Sequence, residues 1–113
     1  MMGQIPPVEV INLIRYPNTI VPVAPTPSID PLSVISNSFE VLYVGGNKVI
    51  IISMNNIENV EIIITNETSV MYSEENDLTT DENLVISTMD WRKGDYYIYM
   101  YVGTNVYIGV FRK

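Results

Sequence analysis

The sequence predicts an all-β fold, a two-layer sandwich of about seven antiparallel strands. Two observations predict it. The apolar residues are mainly Ile, Val and Tyr, with a single alanine, Ala24, and β-branched and aromatic side chains favour strands over helices. Short apolar runs also recur at a spacing of roughly 8–12 residues with turn residues between them and no helical period, the cadence of a sandwich.

The elements follow in order. Val8–Arg15 (VEVINLIR) reads as a strand between Pro6-Pro7 and Tyr16-Pro17. The next stretch carries Pro22, Pro25, Pro27 and Pro31. Prolines this dense lack the N–H donors of a central strand and favour an extended connection. Residues 1–31 are therefore expected to be an N-terminal strand with a Pro-rich extended segment, and 32–113 the sandwich. Phe39–Val44 and Asn47–Ser53 flank Gly45-Gly46, a hairpin turn with two residues tolerant of positive φ. Residues 54–59 form a polar break. Val60–Thr65 and Ser69–Ser73 are strands around Asn66-Glu67-Thr68, and SEENDLTTDEN (73–83) is a long polar loop. Leu84–Thr88 is a strand, and Gly94–Lys113 closes the chain as a hairpin.

That last hairpin is rich in tyrosine: Tyr96, Tyr97, Tyr99, Tyr101 and Tyr107. Side chains alternate along a strand. A two-residue loop at Gly103-Thr104 pairs Val102 with Asn105 and sorts the ribbon into two rows. Tyr96, Ile98, Met100, Tyr107 and Phe111 form the core row. Tyr97, Tyr99 and Tyr101 form the outer row beside Val106, Ile108 and Val110. The outer row is read either as a cross-strand ladder that stabilises the sheet or as a binding patch. Trp91, the only tryptophan, either stacks on a ligand or plugs one end of the sandwich.

Composition excludes much chemistry. The 113 residues make one domain, 47% hydrophobic and 17% charged. Neither histidine nor cysteine is present, which removes thiol nucleophiles, His-based triads, disulfides and the usual zinc sites. No catalytic residue, cofactor or metal ligand is expected. The net charge of −7, with six bases scattered along the chain, argues against nucleic-acid partners. No apolar run is long enough for a membrane-spanning helix. The opening MMGQIPPVEV lacks the basic and apolar regions of a secretory signal. The acidic residues Glu74, Glu75, Asp77, Asp81 and Glu82 lack the spacing of a calcium loop and read as a solvated face. A hydrolase using only carboxylates would need two of them about 5–9.5 Å apart in a cleft. The spacing of Glu40, Glu58 and Glu61 does not demand one.

The closing grammar, Gly94-x-Tyr96-x-Ile98-x-Met100 then Tyr107-x-Gly109-x-Phe111, follows LVISTMDWRKG, and VEIIIT with VMYS lies upstream. From about Ile29 onward it resembles the small exported immunoglobulin-like domains of unknown function, family 3244, of Bacteroides-type gut bacteria. The departures are Trp91-Arg92-Lys93, where small residues or proline are commoner, and the turn at Asn66-Glu67-Thr68, which lacks a glycine. The resemblance implies an immunoglobulin-like or fibronectin type III-like sandwich and a periplasmic, secreted or cell-surface location. It brings no catalytic residue. The C-terminal pattern is also similar to sorting modules that close large secreted bacterial proteins. The functional expectation is a non-enzymatic module that binds a protein or glycan, or assembles with copies of itself, through a sheet face or edge strand.

Overall fold

The structure, a computed structural model, describes residues 7–17 and 38–113. The expected boundary at 31–32 and the Pro22–Pro31 stretch lie outside the described residues. Among the described residues there are nine strands: β1 Val8–Val10, β2 Ile14–Pro17, β3 Phe39–Val44, β4 Lys48–Ser53, β5 Ile57–Thr65, β6 Val70–Leu78, β7 Leu84–Ser87, β8 Asp95–Val102 and β9 Asn105–Arg112. They form two antiparallel sheets, β1-β3-β4-β7 and β2-β9-β8-β5-β6. Strands β3 to β9 are the seven-stranded body that the sequence predicts. The hairpins β3–β4, β5–β6 and β8–β9 stay within a sheet, and the other connections of the body change sheets.

Period-2 alternation builds the core between the sheets. One layer contributes Val41, Tyr43, Val49, Ile51 and Ile86; the other contributes Ile62, Ile64, Tyr96, Ile98, Met100 and Phe111. Burying each such side chain stabilises the fold by about 1.5–3 kcal/mol. The turns match their residues. Gly45 and Gly46 have φ of 63° and 68°, and the Asn47 N–H closes the turn on the Val44 carbonyl at 3.2 Å. Gly103 has φ 59°, the first position of a two-residue loop, and Val102 pairs with Asn105 as expected. Tyr96 stands opposite Phe111, Ile98 opposite Gly109 and Met100 opposite Tyr107.

Three expectations need correction. The segment from Val8 to Arg15 is not one strand. β1 joins the edge of β3, the chain crosses at Ile11–Leu13, and β2 joins the edge of β9. The crossing is possible because Ile11 turns inward, 3% exposed, with its N–H on the Val41 carbonyl at 2.9 Å. Second, β5 starts at Ile57, with a register shift between Ile57 and Val60. Asn59 takes φ 59° there, a conformation Asn tolerates better than most residues. Third, SEENDL is not loop. It continues β6, an outer strand of its sheet, where acidic side chains reach water and discourage pairing with other chains. Asp77 has a structural task in it: its Oδ1 accepts the Asn59 N–H at 2.9 Å and holds the irregular start of β5.

Candidate functional site

Three surfaces come from this arrangement: the outer face of each sheet, and the end of the sandwich that carries Trp91.

On the five-stranded sheet, register lays out rows across the outer face. One row is Ile14, Ile108, Tyr99, Ile63 and Ser73; a second is Tyr16, Val106, Tyr101, Glu61 and Glu75. A third joins Val110, Tyr97, Thr65 and Val70. The alternation is the expected one, but its exposure is not. Val106 and Ile108 are 0% and 1% exposed and form a second apolar cluster with Tyr16. Tyr16 and Ile14 of β2 flank them on one side, Tyr101 and Tyr99 on the other. Val106 and Ile108 therefore present no binding surface. Tyr97, Tyr99 and Tyr101 are half-buried, and Val110 is exposed.

Burial pushes the Tyr99 hydroxyl above the ordinary tyrosine value, and the neighbouring Tyr101 and Tyr97 add to it. Tyr101 is raised by burial first and by the Glu61 carboxylate second. These rings stay neutral at physiological pH and act as packing groups. Beside them lies a shallow depression of about 420 Å³ lined by Tyr99, Tyr101, Ile63 and the turn residues Asn66, Thr68 and Ser69. The turn is tied by its own side chain: Asn66 Oδ1 accepts the N–H groups of Thr68 at 2.8 Å and Ser69 at 2.7 Å.

Trp91 sits at the end of the sandwich, partly buried, its ring 5.2 Å from Tyr96. Tyr96 stacks on Phe111 at 5.5 Å, and Phe111 meets Tyr43 at 4.7 Å. An aromatic column thus runs from the 88–94 loop into the core. The loop is pinned by the Trp91 N–H on the Thr88 carbonyl at 3.0 Å and the Tyr96 hydroxyl on the Arg92 carbonyl. Lys113 Nζ adds bonds to the Thr88 carbonyl and, at 2.9 Å, the Met89 carbonyl. Trp91 in this setting closes the core.

The outer face of the four-stranded sheet was not singled out by sequence. Register aligns Val10, Leu42, Ile50 and Val85 across all four strands, with Val8 and Val44 in the next row and Ile52 beside Glu40. Val8, Val10 and Val85 are more than half exposed, at 55%, 52% and 56%. The sequence clue was there: Ile50, Ile51 and Ile52 are consecutive, so a strand with one face in the core must turn apolar side chains outward.

Glu40 and Glu61 do not converge. Glu40 lies on the outer face of one sheet and Glu61 on the outer face of the other, with the core between them. Among the described residues, no cluster of three or more acidic side chains is arranged to hold a metal ion. No helix among them is long and apolar enough to cross a membrane.

Residues 18–112 match the family described as a domain of unknown function, DUF3244. The chain belongs to the DUF3244 family. Among solved structures, it is similar to a DUF3244 family protein from Bacteroides vulgatus, described as an immunoglobulin-like β-sandwich. The two share 18% identity over 95% of this chain and 99% of that one, with a TM-score of 0.63. The fold is therefore an immunoglobulin-like β-sandwich. No curated protein matches the chain.

Proposed function

We propose that this DUF3244 domain is a non-enzymatic binding module, exported to the periplasm or cell surface, that docks a protein through the outer face of its four-stranded sheet. The observation that carries this reading is the aliphatic row Val10, Leu42, Ile50 and Val85, which crosses every strand of the sheet and stays exposed at both ends. Contiguous apolar surface is costly to leave in water and marks interaction sites. Its chemistry selects between the two expected partner classes. Glycans are held by aromatic rings with hydrogen-bonding groups close by. This face offers branched aliphatic side chains on a flat sheet, which suits the apolar surface of another protein. The non-enzymatic part of the reading is supported by the lack of cysteine and histidine, which removes thiol and His-based catalysis; the export part rests on the sequence resemblance to small exported domains given above.

The test uses the chain as bait against an envelope extract of the organism it comes from, with Val10→Lys/Val85→Lys as the control. Captured proteins are identified by mass spectrometry, purified and titrated. A partner that binds the native chain and loses at least tenfold in affinity to the double variant, with an unchanged melting temperature, supports the reading. Equal affinity for both chains refutes the face as the site.

A further inference from the structure

On one side of the body β3–β9 the edges of β3 and β9 stand together, and a single short segment covers them. β1 adds to β3 in one sheet, β2 adds to β9 in the other, and the chain crosses between them at Ile11–Leu13. This closure has a built socket. A side-chain carbon on Gly109 would lie 2.6 Å from Ile11 Cγ2, 2.9 Å from Leu13 Cδ2 and 3.1 Å from the Asn12 carbonyl oxygen. Only glycine at 109 lets the crossing seat this deeply. Ile11 fills the main core and Tyr16 the second cluster, whereas β1 itself is exposed along its length. The segment is thus held by a few deep anchors in a groove shaped for it.

We propose that this groove is a strand-acceptor site at which two copies of the chain exchange segment 7–17. The length of the connection supports it. Twenty residues, 18–37, separate the segment from the body. Fully extended, they span up to about 70 Å, against a longest molecular dimension of 51 Å. The same segment therefore reaches its own groove or that of a neighbouring copy. Both arrangements make the same ladder bonds and fill the same socket, so the balance rests on protein concentration and on the stiffness of the connection. The exchange acts at the open edge, and it carries Val8 and Val10 with the segment, so each copy supplies the β1 end of the other's aliphatic row.

The chain has no cysteine, so introduced thiols report cleanly. Ile11 bonds Val41 and Gly45 bonds Pro7 across β1 and β3. By alternation Val10 and Leu42 are a non-hydrogen-bonded pair, the closer kind, suited to a disulfide. Isotopically labelled Val10→Cys is unfolded with unlabelled Leu42→Cys, refolded together at high concentration and oxidised. The expected result is a covalent dimer whose 10–42 bond joins a labelled to an unlabelled chain. The double variant Val10→Cys/Leu42→Cys, refolded when dilute, is expected to close within one chain. Closure within the double variant but no 10–42 bond between the single variants overturns the exchange. No 10–42 bond in either sample overturns the groove itself.

Discussion

The two outer sheet faces are built by the same alternation and end in different states. On the four-stranded sheet, the row from Val10 to Val85 stays open to water at its ends. On the five-stranded sheet, the row through Ile108 and Tyr99 is largely closed, with β2 beside β9 on one flank and the tyrosine rings on the other. Side-chain period decides which face a residue occupies; the neighbouring strand decides whether it is wet. A face of long rings and a flanking strand becomes a second small core. A face of short branched side chains stays a surface.

The largest effect that sharpens this contrast falls on the closed face. Ile108→Ala is expected to cost about 2–4 kcal/mol, as a buried core truncation does. Val110→Ala, two residues along the same face but 45% exposed, should stay within about 0.5 kcal/mol. Urea melts of the two variants measure this directly, and equal effects would erase the distinction between the faces.

The next effect is at the crossing. Gly109→Ala should lower stability by about 1–3 kcal/mol, because the added methyl meets Ile11 and Leu13 well inside contact distance. An additional Ile11→Ala change, which removes the opposing methyl, should recover part of that loss in a double-mutant cycle. Strict additivity would separate Gly109 from the N-terminal segment.

A smaller effect concerns Tyr101. Its folded value lies above the ordinary 10.0, so the neutral ring contributes stability below pH 10. That contribution is lost as pH rises through the higher folded value, when the ring must ionise in a partly buried site. Glu61→Gln removes the second of the two causes and should lower the Tyr101 midpoint, read from phenolate absorbance. An unmoved midpoint would leave burial as the sole cause.

Much of this was legible in the sequence. The Gly103-Thr104 loop fixed the register of the final ribbon, and with it the burial of Tyr96, Ile98, Met100 and Phe111. What was not legible required partners distant along the chain. Val106 and Ile108 look like surface until Ile14 and Tyr16 are known to lie beside them. Gly109 looks like a weak point in a strand until the crossing at Ile11–Leu13 is seen to need the space. The acidic run 74–77 reads as loop by composition, because strands seldom carry three acids, yet an outer strand tolerates them. The aliphatic outer face was written in three consecutive isoleucines, overshadowed by the more conspicuous tyrosines.

The central claim is that β2 completes the five-stranded sheet and sets Tyr16 and Ile14 beside Val106 and Ile108 on its outer face. Gly94 and Lys113 exchange both their backbone bonds, so by alternation the N–H groups of Tyr107 and Gly109 point to β8, and those of Val106, Ile108 and Val110 point to the β2 side. Val106 and Ile108 face Tyr16 and Ile14, whereas Val110 lies past the end of β2. Residue-resolved amide hydrogen exchange on the full chain reads these groups separately. Protection of Val106 and Ile108 comparable to Tyr107 and Gly109, with Val110 exchanging faster, is the predicted result. Val106 and Ile108 exchanging as fast as Val110 would contradict it.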